Sequence, residues 1–276
     1  MENTVRTVYG NALQTAQLIG KEHVVLPFTS LNERFAIQAS AVHTPGTYPR
    51  VGYWCIGNGG HDLVIGSGGV PIPSQKQHRS TDASLYRPIP FALRAIADDL
   101  TPLQRSKYAL RKQITVAGDQ YWAYYLKKIP LGDVVVRMQL ETITSGNTVA
   151  VDFIPDTTNL NPVPPVIPNV GASVLVSEYL TVSARLNDSL TEEECTEITN
   201  ASIILYGDAS YALISEIGLC AGQEKVIVIE DSTNFSEVIA TQIISHVATL
   251  IPIQWSATGV TGILDLGTSE PLLALA

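Results

Sequence analysis

Positively charged side chains are scarce in the second half of this 276-residue sequence. Residues 138–276 contain only Arg185 and Lys225 against 17 Asp and Glu, whereas residues 1–137 contain 15 Lys and Arg against 9 Asp and Glu. The two halves therefore carry net charges of −15 and +6. Opposed charges of this kind are suited to head-to-tail contact between copies, or to bridging a basic and an acidic partner. Two domains with unlike surfaces and no contact between them are an equally weighted interpretation.

Cysteines and long apolar runs are also few. Cys55, Cys195 and Cys220 are odd in number and form no CxxC pair, which favours free buried thiols in a reducing compartment. No charged segment followed by an apolar run begins the sequence, so no secretory signal is expected. No stretch approaches the roughly 18 apolar residues that a membrane span needs, so no membrane partner is expected.

Charged residues of either sign make up only 16% of the chain, while 45% of the residues are hydrophobic. This composition is typical of a globular protein and not of a disordered one. A low content of charged residues is also typical of a protein whose surface is largely covered by neighbouring subunits. Surface that is bound does not need charged side chains for solubility.

Sequence motifs for catalysis are absent. The segments Gly57–Gly60 and Gly66–Gly69 do not continue into a P-loop, and no GxGxxG, HExxH or Gly-x-Ser-x-Gly motif occurs. We therefore expect no enzymatic activity and no cofactor, and we expect these glycines to serve turns.

One segment nevertheless offers an enzymatic alternative. Cys55, His61, Asp62, His78 and Asp82 lie within 28 residues of one another and could form a metal site or a Cys–His hydrolase centre. Their spacing fits no zinc signature, so polar loop residues that bond to the backbone are the preferred interpretation. The acidic groups Asp98–Asp99 and Glu192–Glu194 are interpreted as helix N-terminal charges and not as acid–base pairs.

A proline-rich segment divides the sequence. Five prolines lie between Pro155 and Pro168, which excludes helix and central strand there and favours an extended spacer or arm. We therefore predict an α+β protein in three parts. These are a basic β-rich domain at 1–154 with one capped helix, a Pro-rich linker or arm at 155–169, and a smaller acidic α/β-type domain at 170–276.

Patterning within residues 1–154 predicts several elements. Val134–Ile143 and Thr148–Ile154 alternate around Ser145–Asn147 and predict a β-hairpin. Tyr121–Leu126 is a strand with aromatic side chains on both faces, so both faces should be covered. Thr101, Pro102 and Gln104 form a capping box, which predicts a helix ending near Arg111–Gln113. Residues 44–90 are predicted to form one long irregular loop that binds something or is ordered by a neighbour.

The second half is predicted to be mixed. Residues 174–184 are extended, and the capping box at Thr191 and Glu194 begins a helix that ends at Gly207. Apolar side chains at helical spacing predict a helix over 234–250. The remaining predictions are paired strands at 211–220 and 225–230 around a turn at 221–224, and short strands at 253–255 and 259–266.

Basic and aromatic side chains are concentrated near residues 105–128. Such a combination is used by proteins that bind single-stranded nucleic acids. No RNP, KH or zinc-finger motif is present and the pI is about 5.0, so a protein interface is preferred and DNA contact is the weaker alternative. The predicted interface comprises Arg105, Lys107, Arg111, Lys112, Tyr121, Trp122, Tyr124, Tyr125, Lys127 and Lys128, together with His61 and Asp62.

Two stretches carry a resemblance to known proteins. Leu93–Lys112, which continues into Tyr121–Ile129, resembles structural proteins encoded among the tail and baseplate genes of tailed bacteriophages. Tyr206–Cys220, with its Ser-Glu-Ile-Gly-Leu core, is similar to a strand of phage tail-fibre and baseplate components. The resemblance implies a virion protein of the tail, baseplate or neck that is assembled in the host cytoplasm.

The sequence therefore favours a structural component of a tailed-bacteriophage virion. Its expected partners are other virion proteins and further copies of itself in a ring or repeated assembly. The alternatives are the enzyme described above and a nucleic-acid-binding accessory protein that uses residues 105–128.

Overall fold

The computed structural model describes residues 3–144, 147–155, 176–229, 232–253 and 259–271. The strands in chain order are β1 Asn3–Arg6, β2 Arg50–Gly57, β3 His61–Ile65, β4 Pro71–Gln75, β5 Pro88–Ile89, β6 Ala92–Ala95, β7 Tyr108–Val116, β8 Asp119–Lys128, β9 Val136–Thr144, β10 Asn147–Asp152, β11 Val176–Leu190, β12 Leu213–Val228, β13 Asn234–Pro252 and β14 Val260–Pro271. The α-helices are α1 Val8–Leu18, α2 Leu31–Phe35, α3 Pro102–Arg105 and α4 Glu192–Tyr206, and short 3-10 helices occupy Ile96–Asp98 and Ala209–Tyr211.

The protein is mainly β, and the α+β prediction is wrong. Of the described residues, 51% are in strands and 18% are in helices, and the strands form three antiparallel sheets. This architecture is closer to the β-sandwich class than to α+β. The second half is not an α/β-type domain, because strands and not helices make up most of its described residues.

The chain forms two compact units. Unit 1 comprises Met1–Ile129 and Ser189–Thr261, and unit 2 comprises Pro130–Asp188 and Gly262–Ala276. Each unit combines segments from both sides of the predicted linker, so the boundaries expected at 154 and 170 are not those between the units. All of the linker except Pro155 lies outside the described residues.

Unit 1 is built on an eight-stranded antiparallel sheet with the order β1-β13-β12-β2-β8-β6, to which β5 adds beside β2 and β7 beside β8. β12 is central because it pairs on one side with β13 and on the other with β2. The hairpin β3–β4 forms a separate two-stranded sheet of the same unit. Helix α4 packs on β6, and α1 and α2 pack on β13.

Unit 2 is a four-stranded sheet with the order β10-β9-β11-β14. The hairpin predicted at 134–154 is confirmed: Asn147 pairs with Thr144, and the ladder continues to Asp152 opposite Gln139. Of its predicted turn, residues 145 and 146 lie outside the described part of the chain. The predictions of extended structure at 174–184 and 259–266 agree with β11 and β14, except that residues 174 and 175 lie outside the described part of the chain.

The helix predicted at 234–250 is wrong, because this segment is the 19-residue strand β13. Every residue from Glu237 to Thr249 is buried, so apolar side chains occur on both faces and no alternation is visible. The helix-like spacing arose by coincidence within an apolar run. β-Branched residues such as Val238, Ile239 and Ile243 favour the strand.

The turn predicted at 221–224 is also wrong, because β12 runs through it without interruption. The register between β12 and β13 shifts between Ala221 and Gln223, which is a β-bulge. On the opposite strand Ala240 has a positive φ of 52°. A Cβ at Gly222 would lie 2.3 Å from Cγ2 of Val238, so glycine is present here for close packing and not for a turn.

The capping box at Thr101 is confirmed, but helix α3 ends at Arg105. Residues 108–116 form β7, which pairs with β8. The prediction of one basic helix to 111–113 is therefore wrong. The β-branched run Ile114–Val116 and the partner strand outweigh the helical spacing.

The single loop predicted at 44–90 is wrong as well. It contains β2, which lies inside the large sheet and buries Tyr53, Cys55 and Ile56. The many glycines and prolines of residues 44–90 favoured the prediction of a loop, although this central strand lies among them. The helix that begins at the Thr191 capping box is confirmed, and it ends at Gly207 in the left-handed conformation.

The two-sided aromatic strand β8 is confirmed, and the chain itself supplies the cover. Tyr124 is buried in one apolar cluster with Phe91 and Tyr108, while Tyr125 stacks on Phe35 at 4.2 Å between ring centroids. The core of unit 1 thus lies on both sides of its large sheet.

Candidate functional site

The cations of the predicted interface do not form one exposed basic surface. Arg105 and Arg111 are buried, and their guanidinium groups lie 3.1 and 3.6 Å from Oδ2 of Asp99. The Tyr124 hydroxyl donates to Oδ1 of the same carboxylate at 2.7 Å. The Arg111 guanidinium also lies 3.9 Å from the centroid of the Trp122 ring. These side chains form an internal network around one carboxylate.

The remaining members of the predicted interface are dispersed. Lys127 is buried and donates to Oε2 of Glu194 at 3.0 Å, and Lys107, which is exposed, lies 3.6 Å from the other oxygen of that carboxylate. Lys128 lies 2.9 Å from Glu224. Two other members, Lys112 and Tyr121, are half-buried on β7 and β8.

Part of the charge difference between the two halves of the sequence is paired within unit 1. Lys127, Lys107 and Lys128 of the first half meet Glu194 and Glu224 of the second. In addition, Arg94 bonds to Glu197. Unit 1 as a whole contains 15 Lys and Arg against 18 Asp and Glu. Basic segments of the first half and acidic segments of the second therefore fold into one unit whose charges are close to balance.

The β3–β4 hairpin is an exposed apolar feature of unit 1. Leu63 and Ile65 are 68% and 71% exposed, and the same hairpin exposes Val64, Val70 and Ile72. Leu63 and Ile65 lie on one face opposite Pro73 and Pro71, while Val64 lies on the other opposite Ile72. A two-stranded hairpin is marginally stable by itself, so apolar side chains on both of its faces indicate a surface that is covered by something else.

The hairpin is held at its base by one buried carboxylate. Glu216 of β12 is fully buried and accepts hydrogen bonds from the backbone amides of Gly59, Tyr86 and Arg87 at 3.1, 2.9 and 2.9 Å. Nε2 of His78 lies 2.9 Å from its second oxygen. Both chain segments that enter and leave the hairpin are thus bonded to the same side chain. This set of groups is called the hairpin anchor below.

Burial would by itself raise the pKa of Glu216. The hydrogen bonds from His78 and from the backbone amides of Arg87 and Tyr86 outweigh it and hold the pKa of this carboxyl below its ordinary value. The anchor therefore contains an ionised carboxylate in the interior at neutral pH.

The glycines at the base allow this close approach. A Cβ at Gly57 would lie 2.5 Å from Oε1 of Glu216, and one at Gly60 would lie 2.6 Å from the carbonyl oxygen of Ser215. The first glycine cluster thus serves packing against β12. The second serves the turn of the hairpin, since Gly68 and Gly69 have φ of 104° and 77°.

Stacked rings extend the hairpin anchor. His78 stacks on His246 at 3.9 Å and on Tyr86 at 4.5 Å between ring centroids. Nδ1 of His78 lies 3.1 Å from Oδ2 of Asp82, and His246 donates from Nε2 to the carbonyl oxygen of Asp82 at 3.0 Å. Burial lowers the pKa of His246 to about 4, so its ring is neutral at pH 7.

The hairpin anchor has little capacity left for chemistry. The four acceptor positions of Glu216 meet four donors, and both ring nitrogens of His78 are engaged. No cluster of His, Cys, Asp or Glu that could hold a metal ion occurs among the described residues. Of the five candidate enzyme residues, only His78 and Asp82 lie together.

The other three candidate residues point to separate surroundings. Cys55 is buried, with its sulfur 3.8 Å from that of Cys220 and 3.6 Å from the carbonyl oxygen of Gly218. Asp62 is exposed and lies 2.9 Å from Lys76. His61 is half-buried, and burial together with the charges of Arg87 and Lys76 lowers its pKa. The proposed nucleophile therefore contacts another thiol and a carbonyl.

Sequence reasoning missed Glu216 and His246, which complete the anchor. The available signal was a charged or titratable residue inside an otherwise apolar stretch, since a side chain of that kind must find partners when it is buried. Glu216 lies in Leu213–Leu219 and His246 in Ile243–Ala248.

Fold and site together define a mainly β protein that presents an apolar hairpin on a buried carboxylate anchor. The chain belongs to the DUF7208 family, described as a family of unknown function, whose model matches residues 1–276. No curated protein and no solved structure matches the chain. In the described part of the chain, no helix is long and apolar enough to cross a membrane.

Proposed function

We propose that this protein is a structural subunit of a tailed-bacteriophage virion, in the tail, baseplate or neck, and that it binds neighbouring subunits through the β3–β4 hairpin. The proposal assigns it no catalytic role and no cofactor. Its place of action is the virion, after assembly in the host cytoplasm.

The exposed hairpin is the observation that carries the proposal. Five of its apolar side chains are exposed together, Leu63, Val64, Ile65, Val70 and Ile72. Covering them would contribute on the order of 6 kcal/mol before the cost of association is subtracted. A surface of this kind favours a protein that functions in contact with others.

The rigidity of the hairpin base supports the same role. Glu216 fixes the segments on both sides of the hairpin to the central strand of the large sheet. A binding element held by a preorganised base loses less conformational entropy when it binds.

The assignment to a phage virion relies on the resemblance of Leu93–Lys112, Tyr121–Ile129 and Tyr206–Cys220 to phage structural proteins. These stretches supply β6, α3, most of β7 and β8, and the first half of β12. They therefore belong to the scaffold of unit 1, and Tyr206–Cys220 includes Glu216 of the hairpin anchor.

Mass spectrometry of purified phage particles tests the proposal. Peptides of this chain should be present at a stoichiometry of several copies per particle and should remain after washing in high salt. Peptides of a cytoplasmic host protein provide the matched control for contamination. Absence of the chain from intact particles, or a level no higher than that control, would contradict the proposal.

The nucleic-acid alternative is not proposed, because Arg105, Arg111 and Lys127 are engaged with carboxylates inside the chain. The enzymatic alternative is not proposed, because Cys55 lies in an apolar cluster beside Cys220, whereas both ring nitrogens of His78 are engaged by Glu216 and Asp82.

A further inference from the structure

The two outer edges of the β3–β4 hairpin differ in hydrogen-bonding capacity. Gly66 donates its backbone N–H to the carbonyl of Val70 at 2.9 Å, and Lys76 donates to the carbonyl of Gly60 at 2.8 Å. In an antiparallel pair the N–H and C=O of one residue point to the same side, and the side alternates along the strand. Val70, Ile72 and Ser74 therefore face β3, whereas Pro71 and Pro73 face outward.

The outer edge of β4 cannot accept another strand. Pro71 and Pro73 hold two of the three outward-pointing backbone nitrogens of β4, the third being Gln75 at the end of the strand, and proline has no N–H to donate. Prolines at an outer edge block pairing with a further chain.

The outer edge of β3 is open. Val64 pairs with the inward-facing Ile72, so His61, Leu63 and Ile65 direct their N–H and C=O groups away from β4. Within the described residues the sheet has two strands only, so this edge has no neighbouring strand. Each chain thus carries one open edge and one blocked edge on the same hairpin.

We propose that β3 pairs antiparallel with β3 of a second copy of this chain, forming a four-stranded sheet with the order β4-β3-β3-β4. The inference rests on the proposed function in naming the hairpin as a binding surface, and it adds the partner and the geometry. A strand with one open edge is self-complementary under a two-fold axis, which gives the same contact to both copies. The proline-blocked β4 strands then form both outer edges, so the sheet closes at two copies.

The register follows from the length of the open edge. With the two-fold axis at Leu63, that residue meets its own counterpart and His61 meets Ile65, so all five residues of β3 pair. An axis at Ile65 would extend the pairing into the Gly66–Gly69 turn, and one at His61 would extend it to Gly59, whose amide is bonded to Glu216. Pairing at Leu63 forms about six main-chain hydrogen bonds.

The chosen register is also compatible with the side chains. Asp62 faces Val64 of the other copy, so no two like charges lie directly opposite each other. Leu63 and Ile65 of both copies lie on one face of the four-stranded sheet with Pro71 and Pro73, and His61 lies beside Ile65 of the other copy on that face.

The decisive experiment compares the full chain with Leu63→Pro and Leu63→Ala by sedimentation equilibrium between about 1 and 100 μM. Proline at 63 removes one outward N–H and leaves the bonds to β4 intact, because those involve residues 62 and 64. Alanine keeps the N–H and removes apolar contact. We expect a dimer for the wild-type chain, about a 100-fold weaker association for L63P and about a 10-fold weaker one for L63A.

Backbone amide exchange measured by NMR gives the residue-level readout. On dilution below the dissociation constant, the amides of Leu63 and Ile65 should lose protection, while that of Val64 keeps it because it bonds to β4. Urea unfolding midpoints of the variants that lie within a few tenths of a molar unit of the wild-type midpoint show that the folds are intact.

A wild-type chain that is monomeric at 100 μM overturns the inference, as does an L63P chain that associates like wild type. Protection of Leu63 only in assembled particles would assign the edge to a different virion protein, and this too would overturn self-pairing. The outcomes are independent of the proposed function: a monomer present in virions refutes the pairing alone, and a dimer absent from virions refutes the virion assignment alone.

Discussion

Lys127 and Glu194 form a buried ion pair that joins the basic half of the sequence to its acidic half. The lysine Nζ lies 3.0 Å from Oε2 of the carboxylate and also donates to the carbonyl oxygen of Ser189 at 2.6 Å. The same carboxylate oxygen accepts the backbone amide of Thr191, the N-cap of α4. The start of helix α4 is thereby bonded to the end of strand β8.

Replacing one member of this pair should be strongly destabilising. Lys127→Met removes the nearer cation and leaves the buried Glu194 carboxylate with the more distant Lys107 and the Thr191 amide, so the free energy of unfolding should fall by about 3 kcal/mol. Lys128→Met is the matched control, because Lys128 pairs with the exposed Glu224 and should cost less than about 1 kcal/mol. Urea denaturation at pH 7 measures both. Equal losses of stability in the two variants would show that the buried Lys127–Glu194 pair contributes no more to the free energy of unfolding than the exposed pair does.

Stability should decline in mild acid because of His246. Its pKa is about 4 in the folded protein and 6.5 in the unfolded chain, so the unfolded chain binds more protons between these values. Stability therefore rises with pH across this window, and about 2 kcal/mol should be lost between pH 7 and pH 5. The His246→Phe variant keeps a ring against His78 but cannot titrate. Urea denaturation at both pH values should show a smaller loss in the variant, and an unchanged loss would refute the assignment.

The lowered pKa of Glu216 acts at lower pH. Its folded value lies below the ordinary 4.5, so its contribution is fully present above about pH 4.5 and is lost as the pH falls through the folded value. The effects of His246 and Glu216 thus occupy different pH windows and are separable in one titration.

Glu216→Gln should loosen the hairpin base. A glutamine places an NH₂ group where two donors now meet an oxygen, so at least one backbone amide loses its acceptor and unfolding should require about 3 kcal/mol less. Glu237→Gln is the matched control, since burial disfavours the charged form of this carboxyl and raises its pKa, the opposite of the shift at Glu216. Amide exchange at Gly59, Tyr86 and Arg87 should accelerate only in E216Q. Unchanged amide exchange at these three residues in E216Q would show that Glu216 does not hold the base of the hairpin.

Gly222→Ala should disturb the bulge between β12 and β13. The added methyl would lie 2.3 Å from Val238 Cγ2 and 2.9 Å from Thr241 Oγ1. Because both neighbours are β-branched and have little rotamer freedom, the free energy of unfolding should fall by about 2 kcal/mol. Gly132→Ala, where a Cβ meets nothing within 4 Å, should change stability by less than about 1 kcal/mol. Thermal unfolding midpoints compare the two. A tolerated G222A would mean that β12 and β13 are spaced more widely.

The thiols should be unreactive in the folded protein. Cys55, Cys195 and Cys220 are free and buried, and burial raises the pKa of both Cys195 and Cys220. An aromatic disulfide reagent at pH 8 should label no thiol rapidly in the native chain and three after denaturation. Rapid native labelling of any one thiol would contradict this.

Local patterns were sufficient where the structure depends on neighbours in sequence. The capping boxes at Thr101 and Thr191 and the β9–β10 hairpin need only contacts across a few residues, and all three are present. The aromatic alternation of β8 also predicted correctly that both of its faces are covered. Where the helix α3 ends was not predictable in this way, because β7 is a strand only through its pairing with β8.

Tertiary contacts determined the rest. β13 has no alternation because it is buried on both faces, and helical spacing in an apolar run cannot be told from such a strand without knowledge of its neighbours. Glu216 becomes an anchor only because β12 brings it to residues 59, 78, 86 and 87, more than a hundred positions away in the chain. The amino-acid sequence by itself thus determined the helix caps, the hairpin turn and the strand with alternating side chains, because these depend on neighbouring residues. Which charges and strands meet was decided by folding, because those hydrogen bonds and ion pairs join residues far apart in sequence.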